Sequence, residues 1–222
     1  MKCTALLIVT LVMTGGTPVP LLTTQAIAQE KGFEPLFNGK DLTGWEMKQA
    51  KGDIKDFWSV KEGGILTAKA GTGWLSTTKE YGDFVLRLEW RIEADGNSGV
   101  FLRVPGVVEG KSPSATGMEI QILDDNSEKY KGKLKPYQYS GSIYTFVPAS
   151  KPVFKGAGQW NKFELTCDKD KVTVVYNGEK VAEGDASTGE LGQRPKKGFI
   201  GLQNHGSPVE FRNVEIKVLN EK

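Results

Sequence analysis

The chain is predicted to be all-β, folded as two packed antiparallel sheets of jelly-roll type, and three observations carry that prediction. From Asp83 to Arg91 the residues alternate cleanly, with Phe84, Leu86, Leu88 and Trp90 on one face and Val85, Arg87, Glu89 and Arg91 on the other. A strand apolar on one face and polar on the other belongs to an antiparallel sheet. Glycine is abundant, 27 of 222 residues, and the apolar runs are short, which favours many strands joined by tight turns. No amphipathic helix of normal length, internal repeat or linker interrupts the pattern, so one domain over residues 29–222 is expected.

Taken in order, the chain begins Met1-Lys2, runs through an apolar segment from Ala5 to Met13 and reaches Ala26-Ile27-Ala28. That is the pattern of a secretory signal, so residues 1–28 are assigned as a signal peptide and the mature protein as exported, to the periplasm or beyond the cell. The apolar run is too short to span a bilayer, and no membrane association is expected. Cys3 leaves with the signal, and Cys167, in the strand pattern Phe163-Glu164-Leu165-Thr166-Cys167, reads as a buried structural thiol. A lone cysteine forms no internal disulfide, so stability must come from a core.

Leu36 to Trp45 reads as an edge strand and turn, and Trp58–Val60, Ile65–Thr67 and Trp74–Ser76 as short strands between glycine turns whose tryptophans anchor packing. After the Asp95–Gly99 turn, Val100, Leu102 and Val104 alternate against Phe101 and Arg103, so Arg103 is predicted to face away from the core. The loop 105–117 delivers the chain to Met118–Asp124. There Ile120 and Ile122 enter the core while Glu119 and Gln121 face the other way. A β-bulge at Leu123 would return Asp124 to their side. The irregular stretch 126–139 follows as a rim or lid, and Ser142–Phe146, Tyr144 among them, resumes the strands. Asn177-Gly178 is a strong hairpin signal. Gly198–Gln203 alternates again, with His205 in phase with Gln203, and Val209–Val218 closes the domain.

These face assignments predict one polar sheet face bearing Glu89, Arg91, Arg103, Glu119, Gln121, Asp124, Gln203 and His205. Two carboxyls flanking an amide suit acid/base chemistry or a cation site, and equally an ordinary solvated strand. His205 is the only histidine and ends a strand at a glycine turn, where it serves as a titrating group, a metal ligand or an exposed loop residue. Arg103 suits a carboxylate partner or a substrate oxygen. The 29 basic and 27 acidic side chains are nearly balanced and scattered, which gives no footprint for nucleic acid. No G-x-S-x-G, H-E-x-x-H, paired Cys-x-x-Cys, phosphate loop or Rossmann fingerprint occurs, so lipase-like, zincin-like and nucleotide or flavin chemistry find no support.

Several segments together resemble one family. They are Leu36-Phe37-Asn38-Gly39-Lys40-Asp41-Leu42-Thr43-Gly44-Trp45, Tyr81-Gly82-Asp83-Phe84 with Glu89-Trp90-Arg91, and Asn97-Ser98-Gly99-Val100-Phe101-Leu102-Arg103. Gly117-Met118-Glu119-Ile120-Gln121, Gly158-Gln159-Trp160-Asn161 and Gly201-Leu202-Gln203-Asn204-His205-Gly206 follow. In this order they are similar to the concanavalin A-like family of 3-keto-disaccharide hydrolases, also described as 3-keto-glucoside lyases and hydratases. The resemblance implies cleavage of an oxidised sugar by C2 deprotonation, loss of the C1 oxygen and hydration. It implies Glu119, Asp124 and His205 as acid/base groups, with Glu119 and His205 as ligands should a divalent cation take part, and Arg103 on a substrate oxygen. Glu89, Arg91, Gln121, Gln203 and Tyr144 would line the substrate, and a separate sugar 3-dehydrogenase would supply it. A laminarinase-like retaining glycosidase and a non-catalytic sugar-binding module are the alternatives, and Gln121 and Asp124 depart from the former's strand pattern.

Overall fold

The computed structural model describes residues 31–69 and 71–219. The predicted signal peptide, with Cys3, lies outside them. Thirteen strands occur among the described residues: β1 (Glu34–Pro35), β2 (Trp45–Lys48), β3 (Trp58–Lys61), β4 (Ile65–Ala68), β5 (Gly73–Tyr81), β6 (Phe84–Ile92) and β7 (Asn97–Val104), then β8 (Met118–Leu123), β9 (Asn161–Asp168), β10 (Lys171–Tyr176), β11 (Glu179–Asp185), β12 (Gly198–Asn204) and β13 (Val209–Val218). Helices are confined to single turns.

The strands form two antiparallel sheets. One has eight strands in the order β11-β10-β9-β6-β13-β4-β3, with β1 also on β13; the other has five in the order β2-β5-β12-β7-β8. The predicted sandwich is thus observed. Its core lies between the sheets, where Phe84, Leu86, Leu88 and Trp90 of β6 meet Val100 and Leu102 of β7, Ile120 and Ile122 of β8 and Ile200 and Leu202 of β12. Trp90 is fully buried and packs on Phe163 at 5.4 Å and on Tyr176 at 5.8 Å, centroid to centroid. Truncating a side chain of that size in such a setting costs about 3–5 kcal/mol. Cys167 is buried in the same core, as expected, and burial pushes its thiol up to about 12. The hairpin signal holds too: Tyr176 pairs with Glu179 across Asn177-Gly178, both at positive φ (50° and 89°).

Two local expectations are corrected. Ser142–Phe146 is not a strand; it is a turn held by isolated bridges from Ile143 to Ile120 and Val147. Leu123 is not a bulge, because β7 and β8 pair in unbroken register from Leu102–Met118 to Asn97–Leu123. Leu123 therefore shares the face of Glu119 and Gln121, and Asp124 leaves the strand. The irregularity instead lies one strand over, where Phe199 pairs with Val104 but Gly201 pairs with Phe101. Arg103 sits inside that bulge at φ 52°.

The outer face of the eight-stranded sheet carries paired charges. Arg87 binds Glu164 at 2.7 Å, Arg212 binds Glu89 at 2.7 Å, and Arg91 pairs with Glu210. Arg91 and Arg212 lie 4.8 and 4.0 Å from the Trp160 ring centroid. Glu89 and Arg91 are thus on the opposite sheet from Glu119, and the single polar face predicted for all of them does not exist.

Candidate active site

Side chains at alternate positions of β8 rise from the outer face of the five-stranded sheet, and there they border a cavity of about 430 Å³. Glu119, Gln121 and Leu123 contribute from β8, Phe101 from β7, Gln203 from β12 and Trp74 from β5. Ser112–Ser114 form one wall, held near the sheet by Gln49, whose Nε2 donates to the Lys111 carbonyl at 2.8 Å. Tyr130, Leu134 and Gln138 of the loop after β8 form the other, together with Tyr144. That loop is fastened to the turn before β7: Tyr130 Oη donates to the Asp95 carbonyl at 3.0 Å, and the Ser127 hydroxyl donates to the Asp95 carboxylate. The expectation of a rim over the polar strand is met.

Glu119 is the electrostatic centre of the cavity. Its side chain is buried and has no cationic partner among the described residues, and desolvation pushes its carboxyl up to about 8, against a hydrogen bond from Ser114 that lowers it. At neutral pH it is therefore mainly uncharged. Gly99 on β7 makes room for it, since a Cβ there would lie 2.4 Å from Glu119 Oε1. Gly201 does the same for Trp74, whose ring would meet a Cβ at 2.3 Å. Around the carboxyl are amides and phenols. Gln121 Nε2 donates to Asn97 Oδ1 at 3.1 Å, and Gln138 Nε2 donates to Tyr144 Oη at 3.3 Å. With its lone pair so engaged, the Tyr144 hydroxyl has its own proton to donate. His205, exposed, borders the same cavity just past the end of β12.

Of the residues predicted from sequence, Glu119, Gln121, Gln203, Tyr144 and His205 meet here. Arg103 does not. Fully buried, it donates to the Gly82 and Lys169 carbonyls at 2.8 and 3.0 Å and pairs with Asp83 at 3.0 Å, tying the β5–β6 and β9–β10 turns together. Asp124 is also elsewhere: its carboxylate accepts from the backbone N–H groups of Asp95 and Asn126 at 3.0 and 3.3 Å, which closes the turn after β8. Glu89 and Arg91 belong to the other sheet. Trp74, expected as a packing anchor, is buried but faces the cavity with Phe101 at 5.9 Å. Ser114, Tyr130 and Gln138 went unread, because they come from loops and single helical turns that strand alternation does not rank, and Asn97, expected in the Asp95–Gly99 turn, is instead the first residue of β7. The one usable signal was Gly99 and Gly201, glycines within alternating strands, which mark a close approach.

The donor set tests the idea of a metal. Among the described residues no three His, Cys, Asp or Glu side chains come together. Glu119 and His205 would have to share a cation with carboxamide oxygens and substrate, a poor set for a resident metal centre. A second cavity, of about 620 Å³, mixes Lys79, Lys169, Lys196 and Lys197 with Glu34, Glu80, Asp83 and Asp170, and Lys196 pairs with Asp170 at 2.6 Å. None of its four carboxyls is buried.

Residues 32–217 match the family model described as a 3-keto-alpha-glucoside-1,2-lyase-like domain. The chain is 27% identical over 230 residues to a 3-keto-disaccharide hydrolase of Bacteroides thetaiotaomicron, covering 85% of this chain and 79% of the relative. A crystal structure from Parabacteroides distasonis, provisionally described as a glycosyl hydrolase, superposes with a TM-score of 0.76 at 31% identity, over 85% of this chain and 94% of that one. The β-glucanase of Bacillus licheniformis, at 13% identity and a TM-score of 0.55 over 85% of this chain and 97% of that one, shares the fold.

Proposed function

The chain belongs to the 3-keto-alpha-glucoside-1,2-lyase-like family, and on that footing we propose that it cleaves the glycosidic bond of 3-keto-glucosides by elimination followed by hydration. The observation that carries this reading is that Glu119, a buried carboxyl, is the only one bordering the cavity among the described residues. A retaining glycosidase needs two carboxyls about 5 Å apart. An elimination needs one strong base and a way to hold negative charge on oxygen.

In this reading the 3-keto group acidifies the neighbouring C2 hydrogen. Glu119, in its ionised fraction, takes that proton, and a carboxylate with a value near 8 is a far stronger base than an ordinary one. The enolate oxygen accepts from the Tyr144 hydroxyl and the Asn97 amide. Collapse of the enolate breaks the C1–O bond and forms the C1=C2 double bond. The departing oxygen is protonated by His205 at the mouth or by the proton Glu119 has gained. Water then adds across C1=C2, so the net change is hydrolysis. No step uses a metal, and the substrate is oxidised at C3 by a separate dehydrogenase before it arrives. Export to the periplasm or beyond, read from residues 1–28, puts this reaction outside the cytoplasm.

The test compares product release from a 3-keto-glucoside and its unoxidised parent, each with and without chelator. Cleavage of the keto sugar alone, unchanged by chelator, supports the elimination. Cleavage of the parent at a similar rate would return the chain to the ordinary glycosidases, and binding of both sugars without turnover would make it a carbohydrate-binding module.

A further inference from the structure

Six buried polar side-chain atoms among the described residues have no hydrogen-bond partner: Trp58, Trp74 and Trp90 Nε1, Thr67 Oγ1, Arg194 Nε and Gln203 Oε1. Only Trp74 and Gln203 also border the active-site cavity. They lie directly opposite one another in the antiparallel pairing of β5 with β12. Trp74 is 1% exposed, with its ring packed over Gly201, so the indole is held in place and its N–H has little freedom to find another acceptor. The indole N–H is a donor only, and the Gln203 oxygen an acceptor only. A buried donor or acceptor left unpaired costs about 1–3 kcal/mol, and of the six atoms only these two belong to residues that border a cavity in which a ligand could offset that cost.

We propose that Trp74 and Gln203 together read one hydroxyl group of the sugar, and so set substrate specificity. An alcohol is the group that satisfies both at once, accepting from Trp74 Nε1–H through its lone pair and donating its proton to Gln203 Oε1. A ketone accepts but cannot donate, and a methylene does neither, so the pair selects a hydroxyl over an oxidised or deoxygenated carbon. The 3-keto group accordingly lies away from this pair, toward Glu119 and Tyr144. This inference rests on the carbohydrate-cleaving reading of the same cavity.

The experiment measures kcat/KM and calorimetric affinity for a 3-keto-glucoside and for analogues lacking each hydroxyl in turn, using the wild type and Gln203→Met. Trp74→Phe is the second reporter, and far-ultraviolet circular dichroism checks that both variants fold. The expected result is that one analogue falls about tenfold or more below the parent sugar with the wild type. With Gln203→Met the parent falls by a similar factor, while that analogue is discriminated less than about threefold. Equal discrimination of every analogue by wild type and variant, as a bound water in the niche would give, overturns the proposal. If the wild type binds the sugars but cleaves none, affinities still decide the matter and only the activity reading falls. If it neither binds nor cleaves, both fall.

Discussion

The outer face of the eight-stranded sheet holds its charges in pairs, Arg87 with Glu164, Arg91 with Glu210 and Arg212 with Glu89, and all of these side chains keep some access to solvent. The cavity face of the five-stranded sheet does the reverse. It buries Glu119 without a cation and leaves the Trp74 N–H and the Gln203 oxygen unpaired. In sequence the two faces look alike, since both read as polar residues alternating with apolar ones. Pairing lowers the cost of a charge and makes it inert; isolation in a low-dielectric pocket raises its pKa and its reactivity. One face is therefore built as scaffold, and the other carries the groups of the proposed chemistry.

The widest gap between the two faces should appear on removing Glu119. Glu119→Gln is expected to lower kcat about 10²–10⁴-fold, measured with a 3-keto-glucoside at saturation. It should also stabilise the fold. Because the folded carboxyl titrates near 8 and the unfolded one near 4.5, the folded chain keeps a proton that the unfolded chain has released between those values. Wild-type stability thus falls as pH rises from about 4.5 through about 8, by on the order of a few kcal/mol. Denaturant titrations of wild type and Glu119→Gln across that window should diverge, with the variant ahead at the alkaline end.

Gly99→Ala sharpens the same point without touching a polar group. Its new methyl would strike Glu119 Oε1, and displacing the base by an ångström is expected to cost about a hundredfold in kcat. Arg103→Met tests a charge buried for structure. Taking the cation from Asp83, which keeps the Lys169 N–H, and the donors from two carbonyls should cost about 1–3 kcal/mol in a urea titration, with kcat per folded molecule unchanged. The smallest effect belongs to the outer face, where Glu89→Gln should shift stability by less than about 1 kcal/mol and leave kcat alone. A large loss of activity there would break the contrast.

Much of the fold was legible because period-two alternation reports which residues share one face of one strand. Phe84, Leu86, Leu88 and Trp90 entered the core as predicted. Alternation does not say which sheet a strand joins, and that is why Glu89 and Arg91 were placed beside Glu119 when a whole sheet separates them. It also fails where the backbone slips. A bulge expected at Leu123 lies at Arg103 instead, where the left-handed backbone takes the guanidinium out of the alternation and buries it among turn carbonyls. The site was half visible. Glu119, Gln121, Gln203 and His205 sit at or just beyond strand positions, whereas Tyr130, Gln138 and Ser114 reach the cavity from loops whose path depends on contacts distant in sequence.

The measurement that bears most directly on a single buried base acting at C2 is the fate of the C2 hydrogen. A 3-keto-glucoside is cleaved in deuterium oxide, and the released keto sugar is analysed by mass spectrometry and proton magnetic resonance before spontaneous exchange sets in. Elimination and hydration predict deuterium at C2 at the rate of bond cleavage, and Glu119→Gln should slow both together. Release of a sugar that retains its C2 hydrogen, formed as fast as the bond breaks, would contradict the account.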